Sequence, residues 1–152
     1  MDPLEHDGDV TVRTLTKADL GRLVRIDQAL VGRNRQKFFE GKLAAALSSD
    51  IRVSMGAEID GTLVGAILGA VAYGEFGRAE PVAVLDTILV DPASKGRGVG
   101  RAMMEQLVKN LAALRIEKIR TEVDWTEREL MGYLAHEGFV PAPRLVLERV
   151  IG

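Results

Sequence analysis

From residue 90 to residue 101 the chain reads Val-Asp-Pro-Ala-Ser-Lys-Gly-Arg-Gly-Val-Gly-Arg. Gly96, Gly98 and Gly100 alternate with Arg97 and Val99, and Lys95 and Arg101 bring further positive charge. Glycine lets a backbone turn tightly and approach a ligand. The first amides of a helix point outward without intrahelical partners. With the helix dipole and three cations added, the pattern suits an anion, a pyrophosphate above all. A plain turn would need neither the cations nor the spacing. Rival phosphate loops fit badly. A dinucleotide fingerprint starting at Gly96 requires glycine where Arg101 stands, and a nucleotide P-loop requires Gly-Lys followed by Ser or Thr, which is absent.

Other groups with chemical potential are few. Asp86 interrupts the apolar run from Val82 to Val90. Burial among apolar neighbours is expected to raise its pKa and suit it to proton abstraction; the alternative is a structural carboxylate paired with a cation or capping a loop amide. Asp27 shares a helical face with Leu20, Leu23 and Val24, a core-facing slot just before the basic segment from Arg33 to Lys37. Pairing with Arg33 or Arg35 is the plain reading of it. Tyr133 reads as a partly buried amphipathic side chain, and His136 as an exposed residue facing a helix dipole. Glu75 and Glu80 read as solvated loop residues, and Phe38 and Phe39 as core. With no cysteine, disulfides, thiolate metal sites and a cysteine nucleophile are excluded. Only His6 and His136 are present, so a histidine-rich metal site is not expected.

The elements that position these residues follow from pattern. Val10 to Leu15 reads as a first strand. Thr16 and Asp19 resemble an acidic capping box before a helix through Leu20, Leu23, Val24 and Leu30. A second helix runs through Phe38, Leu43 and Leu47. Alternation from Ile51 to Ile59 predicts a half-buried strand, and Asp60-Gly61 a two-residue hairpin turn into a returning strand, Thr62 to Ala72. After a glycine-rich loop, Val82 to Val90 is apolar on both faces and belongs in the middle of a sheet. Val99, Met103, Leu107, Leu111 and Leu114 mark a long helix, followed by a strand at Lys118 to Asp124. That order predicts a parallel crossover. Thr126 and Glu129 form a capping-box pair for a last helix, with Trp125 and Leu130 as its staple. Gly138 suits its C-terminal cap, and Leu145 to Ile151 reads as a closing strand.

At 152 residues the chain fits one α/β domain, 10–152, with about four helices, preceded by an acidic segment, 1–9, expected to be a mobile tail. A net charge of -2 offers no broad basic field, so nucleic acid is not the expected partner. No apolar run reaches the ~18 residues of a membrane helix, and the N-terminus lacks the pattern of a signal peptide. A cytoplasmic protein without membrane contact is the simplest expectation.

The segment Ile88 to Met104 resembles the coenzyme A motif of GNAT acetyltransferases: Leu-x-Val-x-Pro, then Gln/Arg-x-x-Gly-x-Gly/Ala. The order of elements from Val10, and Gly138-Phe139 after the last helix, are similar to that family too. The resemblance implies a mixed, mostly antiparallel sheet of six to seven strands. It implies acetyl-CoA as co-substrate, with no metal. The amides of Arg97, Gly98, Val99, Gly100 and Arg101 would hold the pyrophosphate, and the backbone at Leu89 and Val90 would hold the pantetheine arm and polarise the acetyl carbonyl. Lys95 replaces the usual glutamine or arginine, keeping charge but losing a planar fork. Glu127 stands where many members have asparagine. Leu134 occupies the place of the frequent tyrosine acid; Tyr133 is one residue away, about 100° around a helix. In the family the first helix and its loop line the acceptor cleft, which would let Asp27 receive an ammonium group, and an acidic residue is common at the place of Asp86. The implied activity is direct acetyl transfer in a ternary complex to an amine, on a small molecule or a protein. A homodimer is a further possibility by the same resemblance. The alternatives are an acyl-CoA-binding module that has lost turnover, and a domain binding another phosphate ligand.

Overall fold

A computed structural model describes residues 9–49, 51 and 53–152. Apart from Asp9, the acidic N-terminal segment lies outside the described residues. The chain divides into two compact units, to residue 122 and from residue 123.

The first unit holds one sheet in the order β1-β2-β3-β4-β5. Its strands are β1 (Val10–Arg13), β2 (Met55–Ile59), β3 (Thr62–Ala72), β4 (Val82–Val90) and β5 (Ile119–Thr121). Neighbours from β1 to β4 are antiparallel, whereas β4 and β5 run parallel. Asp60 and Gly61 both take positive φ, 51° and 78°, as the tight turn between β2 and β3 requires. The helices are α1 (Leu20–Val31), α2 (Gln36–Ser48) and α3 (Val99–Ala113). Asp19 does bond the Thr16 amide, at 2.8 Å, but the box opens a single 3-10 turn, Lys17–Asp19, that leads into α1.

Side chains of a strand alternate between faces, and this sheet is covered on both. On one face Leu23, Val24, Ile26, Phe39 and Leu43 of α1 and α2 form a core with Ala66, Leu68 and Leu89. On the other, Val99 and Met103 of α3 close over Gly65, where an added Cβ would lie 2.7 Å from Val99 Cγ1. That absent side chain seats the start of α3 directly on β3. Phe39 is fully buried, as expected, but Phe38 is largely exposed, its ring flanked by the cations of Arg35 and Lys42.

The second unit contains α4 (Arg128–His136). Its C-terminus is capped as expected: Gly138 takes φ 93°, the Gly138 amide bonds Ala135 O, and the Phe139 amide bonds Leu134 O. Its N-terminus differs from expectation. Thr126 gives both its amide and its hydroxyl to Asp124, which forms an Asx turn in place of the capping box. Trp125 is 90% exposed and staples nothing.

The largest correction concerns the strand count, five among the described residues rather than six to seven. The strand expected over Lys118 to Asp124 pairs only at 119–121. Residues 145–151 belong to no strand, and their apolar side chains are exposed. A strand exists only through its neighbour's backbone, so apolar composition alone does not create one.

Candidate active site

The site begins where β4 parts from β5. Pairing runs Ala83↔Ile119, Val84↔Arg120, Leu85↔Thr121 and stops there, with the Thr121 hydroxyl donating to Leu85 O at 2.9 Å. Beyond Leu85, β4 is paired only with β3 among the described residues. The edge of β4 that faced β5 is therefore open from residue 86 to residue 90. Leu89 is buried and Val90 half-buried along this stretch.

Asp86 sits at the parting point for a geometric reason. Leu68 pairs with Thr87 and Gly69 with Leu85, so Asp86 is the extra residue of a β-bulge. A side chain at Gly69 would put its Cβ 2.4 Å from Val84 O, so glycine opposite makes the bulge possible. The bulge corrects the expectation of a buried carboxylate: the Asp86 side chain is 50% exposed and meets Lys42 Nζ of α2 at 2.7 Å. Its other oxygen accepts from the Thr87 hydroxyl at 2.8 Å. Of the two roles expected from the sequence, the ion pair with a lysine is thus present.

The loop after β4 is braced from below. Asp91 Oδ1 accepts from the Ala93 amide and starts a 3-10 turn, Pro92–Ser94. The Arg22 guanidinium of α1 donates twice to Leu63 O, at 3.0 and 2.8 Å, and reaches Asp91 Oδ2 at 3.1 Å. The Arg97 amide closes a turn on Ser94 O at 3.3 Å, so of the five amides expected to face a phosphate, this one is engaged locally. Gly98 precedes the helix at φ 78°, a left-handed conformation that side chains disfavour. The first i→i−4 bond of α3 runs from Ala102 N to Gly98 O, which places residues 98–101 at the positive end of its dipole. The guanidinium of Arg97 lies 3.6 Å from Asp9, and that of Arg101 3.1 Å from Glu105. Lys95 stands exposed in the same loop.

Asp27 is placed elsewhere in purpose. It has no exposed surface, and both its oxygens bind Arg35, at 2.9 and 2.6 Å. The structural pairing expected as its plain reading is the one observed. Nearby, a groove lined by Leu20, Gly21, Val24, Arg25, Gln28, Asn34 and Gln36 runs along α1 and the start of α2. In the second unit Tyr133 is half-buried, and that burial, with Glu137 beside it, pushes its phenol well above the usual tyrosine value. Arg22, Lys42 and Thr121 were not anticipated. Their roles depend on partners 36 to 69 residues away in sequence, and no local motif announces them. Among the described residues no group of His, Asp or Glu is clustered to hold a metal ion, and no helix is long and apolar enough to cross a membrane.

The model of the acetyltransferase (GNAT) family matches residues 24–139. The chain belongs to that family. An uncharacterised protein of Mycobacterium leprae (strain TN) is 28% identical over 111 residues, covering 70% of this chain and 29% of that protein. The chain thus spans under a third of that relative's length. Among solved structures, a transcriptional regulator from Bacillus halodurans C-125 superposes with a TM-score of 0.79 at 16% identity, covering 93% of this chain and 99% of that one. The aminoglycoside N-acetyltransferase AAC(6')-Iy, in complex with CoA, gives 0.77 at 17% identity, covering 93% and 94%. At such identities the likeness is one of fold.

Proposed function

We propose that the protein is an acetyl-CoA-dependent N-acetyltransferase acting on a primary amine, of a small molecule or a protein, by direct attack in a ternary complex. The observation that carries this reading is the open edge of β4 running straight into the braced loop and the start of α3. Backbone at Leu89 and Val90 is suited to hold the pantetheine arm of acetyl-CoA as a further strand would be held, and to polarise the thioester carbonyl. Lys95, Arg97, Gly98, Val99, Gly100 and Arg101 supply charge and helix-start amides for its pyrophosphate.

In the reaction the amine nitrogen bonds to the acetyl carbon and the carbon–sulfur bond breaks. The proton lost by the amine goes to a base, and the departing thiolate gains one. Asp86 is the proposed base, since its bulge turns it into solvent at the parting of the strands. Tyr133 is the proposed acid, since its phenol carries a proton at neutral pH that the departing thiolate can take. Asp27 serves the acceptor indirectly, by fixing Arg35 at the start of α2 beside the polar groove. The protein would work in the cytoplasm, without metal or nucleic acid.

Leu134 in the register where a tyrosine is frequent supports a second reading, an acyl-CoA-binding module with little or no turnover. Titration calorimetry with CoA, followed by a CoA-release assay over amines, peptides and protein N-termini, separates the two. Heat of binding with release supports the enzyme. Binding without release for any acceptor supports the module, and no heat at millimolar CoA removes both.

A further inference from the structure

Lys42 already occupies the place that an acceptor amine needs. Its Nζ lies 2.7 Å from Asp86 Oδ2, inside the range of about 2.6–3.2 Å over which a general base takes a proton. Phe38 and Lys42 stand four residues apart on α2 and so share a face, while Phe39 and Leu43 turn into the core. Arg35, gripped by Asp27, lies with its guanidinium 4.8 Å from the centroid of the Phe38 ring, and Lys42 Nζ lies 5.7 Å from the same centroid. Ring and carboxylate together hold an ammonium group where β4 parts from β5.

Lys42 also differs from every other lysine of the chain. It is half-buried, whereas Lys17, Lys37, Lys95, Lys109 and Lys118 are exposed. Anchorage explains little of this placement. Asp86 is half-exposed, and ion pairs at such positions contribute little to stability.

We infer that Lys42 is itself an acetyl acceptor, so that the protein modifies its own α2 in cis. The inference rests on the acetyl-CoA reading above. Asp86 takes a proton from the Lys42 ammonium, and the flexible four-carbon stem lets the neutral nitrogen swing along the open edge of β4. There the nitrogen bonds to the acetyl carbon of a thioester held at Leu89 and Val90, and the carbon–sulfur bond breaks. Of the two protons that the nitrogen gives up, one passes through Asp86 to solvent and the other reaches the departing thiolate. Attachment to the same chain replaces a bimolecular encounter with an intramolecular one. The product is a neutral amide, which no longer pairs with a carboxylate and leaves Asp86 free of Lys42.

Intact mass and peptide mapping after incubation with acetyl-CoA read this directly. A single acetyl group on Lys42 is expected, gained about tenfold or more faster than on any exposed lysine and at a rate independent of protein concentration. An acetyl group present on Lys42 at purification, and absent from Asp86→Asn, is the same result. Asp86→Asn is expected to slow the gain by about tenfold or more, and Lys42→Arg, which keeps the cation, to stay unmodified. A tagged Asp86→Asn copy mixed with unaltered protein should be modified no faster than it is alone. Calorimetry with CoA separates the two readings. No heat removes the acetyl-CoA site and this inference with it. Heat of binding without an acetyl group on Lys42 overturns self-acetylation alone. So does equal labelling of the exposed lysines, an Asp86→Asn variant that is not slowed, or modification of the tagged copy by its neighbour.

Discussion

Gly98 and Asp86 are the two residues on which the proposed chemistry can be examined most sharply. Gly98 holds φ 78° at the entry to α3, and a side chain there is strained before any ligand arrives. Gly98→Glu adds an anion at the helix start. The expected result is a loss of CoA affinity of about 100-fold or more, roughly 2.7 kcal/mol, with the circular dichroism spectrum kept. Wild-type affinity by calorimetry would remove the loop from the site. For Asp86→Asn the expectation is a fall in kcat of at least tenfold, general base catalysis being worth ~100-fold or more, at little cost in acetyl-CoA affinity. A pH–rate profile that does not change would take Asp86 out of the mechanism. The sequence marked both residues, the first by motif and the second by a charge in an apolar run. What it hid was the environment of Asp86. Its exposure follows from the bulge and its partner from α2, and neither leaves a trace in residues 82–90.

At the scale of elements, the boundaries of β3 and β4 were legible because strong signals bracket them: Asp60-Gly61 at one end and the turn at Asp91-Pro92 at the other. The splay of β4 from β5 was not legible, since it depends on where pairing stops and on a threonine hydroxyl closing the ladder. The seating of α3 is a similar case. Gly65 only breaks the apolar run of the strand from Thr62 to Ala72 in the sequence, yet it is the place where Val99 and Met103 rest on the sheet. Gly65→Val would push against Val99, the first residue of α3. Overpacking of this kind costs about 1–3 kcal/mol, and here it should also displace residues 98–101. The expected outcome is a lower Tm together with weaker CoA binding, whereas a substitution that destabilised equally at a distance, such as Leu43→Ala in α2, should lower Tm and leave CoA affinity unchanged. If the two variants bind CoA equally well, the start of α3 is not positioned by Gly65.

For the molecule as a whole, the response to acid follows from one cluster that ties three elements of the first unit. Arg13 of β1 donates to both oxygens of Asp19, at 2.9 Å each, and to Glu58 of β2 at 2.8 Å. Asp19 is buried in the 3-10 turn, and the Arg13 guanidinium, outweighing desolvation, holds its carboxyl below the usual range. The sign is then fixed. A carboxyl whose pKa is lower folded than unfolded binds protons more readily in the unfolded chain. Its contribution to stability is complete above the unfolded value of about 3.9 and drains away as pH falls through the folded value. General charge repulsion also rises in acid, as 22 carboxylates neutralise and 20 lysines and arginines do not, but a variant shares that background. Asp19→Asn should therefore cost about 1.5–3 kcal/mol at pH 7, the worth of hydrogen bonds to a charged group, and the gap to the unaltered protein should narrow steadily below pH 4. Denaturant unfolding of both proteins across that range reads it directly. A gap that stayed constant into strong acid would mean that the Asp19 carboxylate carries no linkage, and that Arg13 draws its hold on β1 and β2 from Glu58 alone.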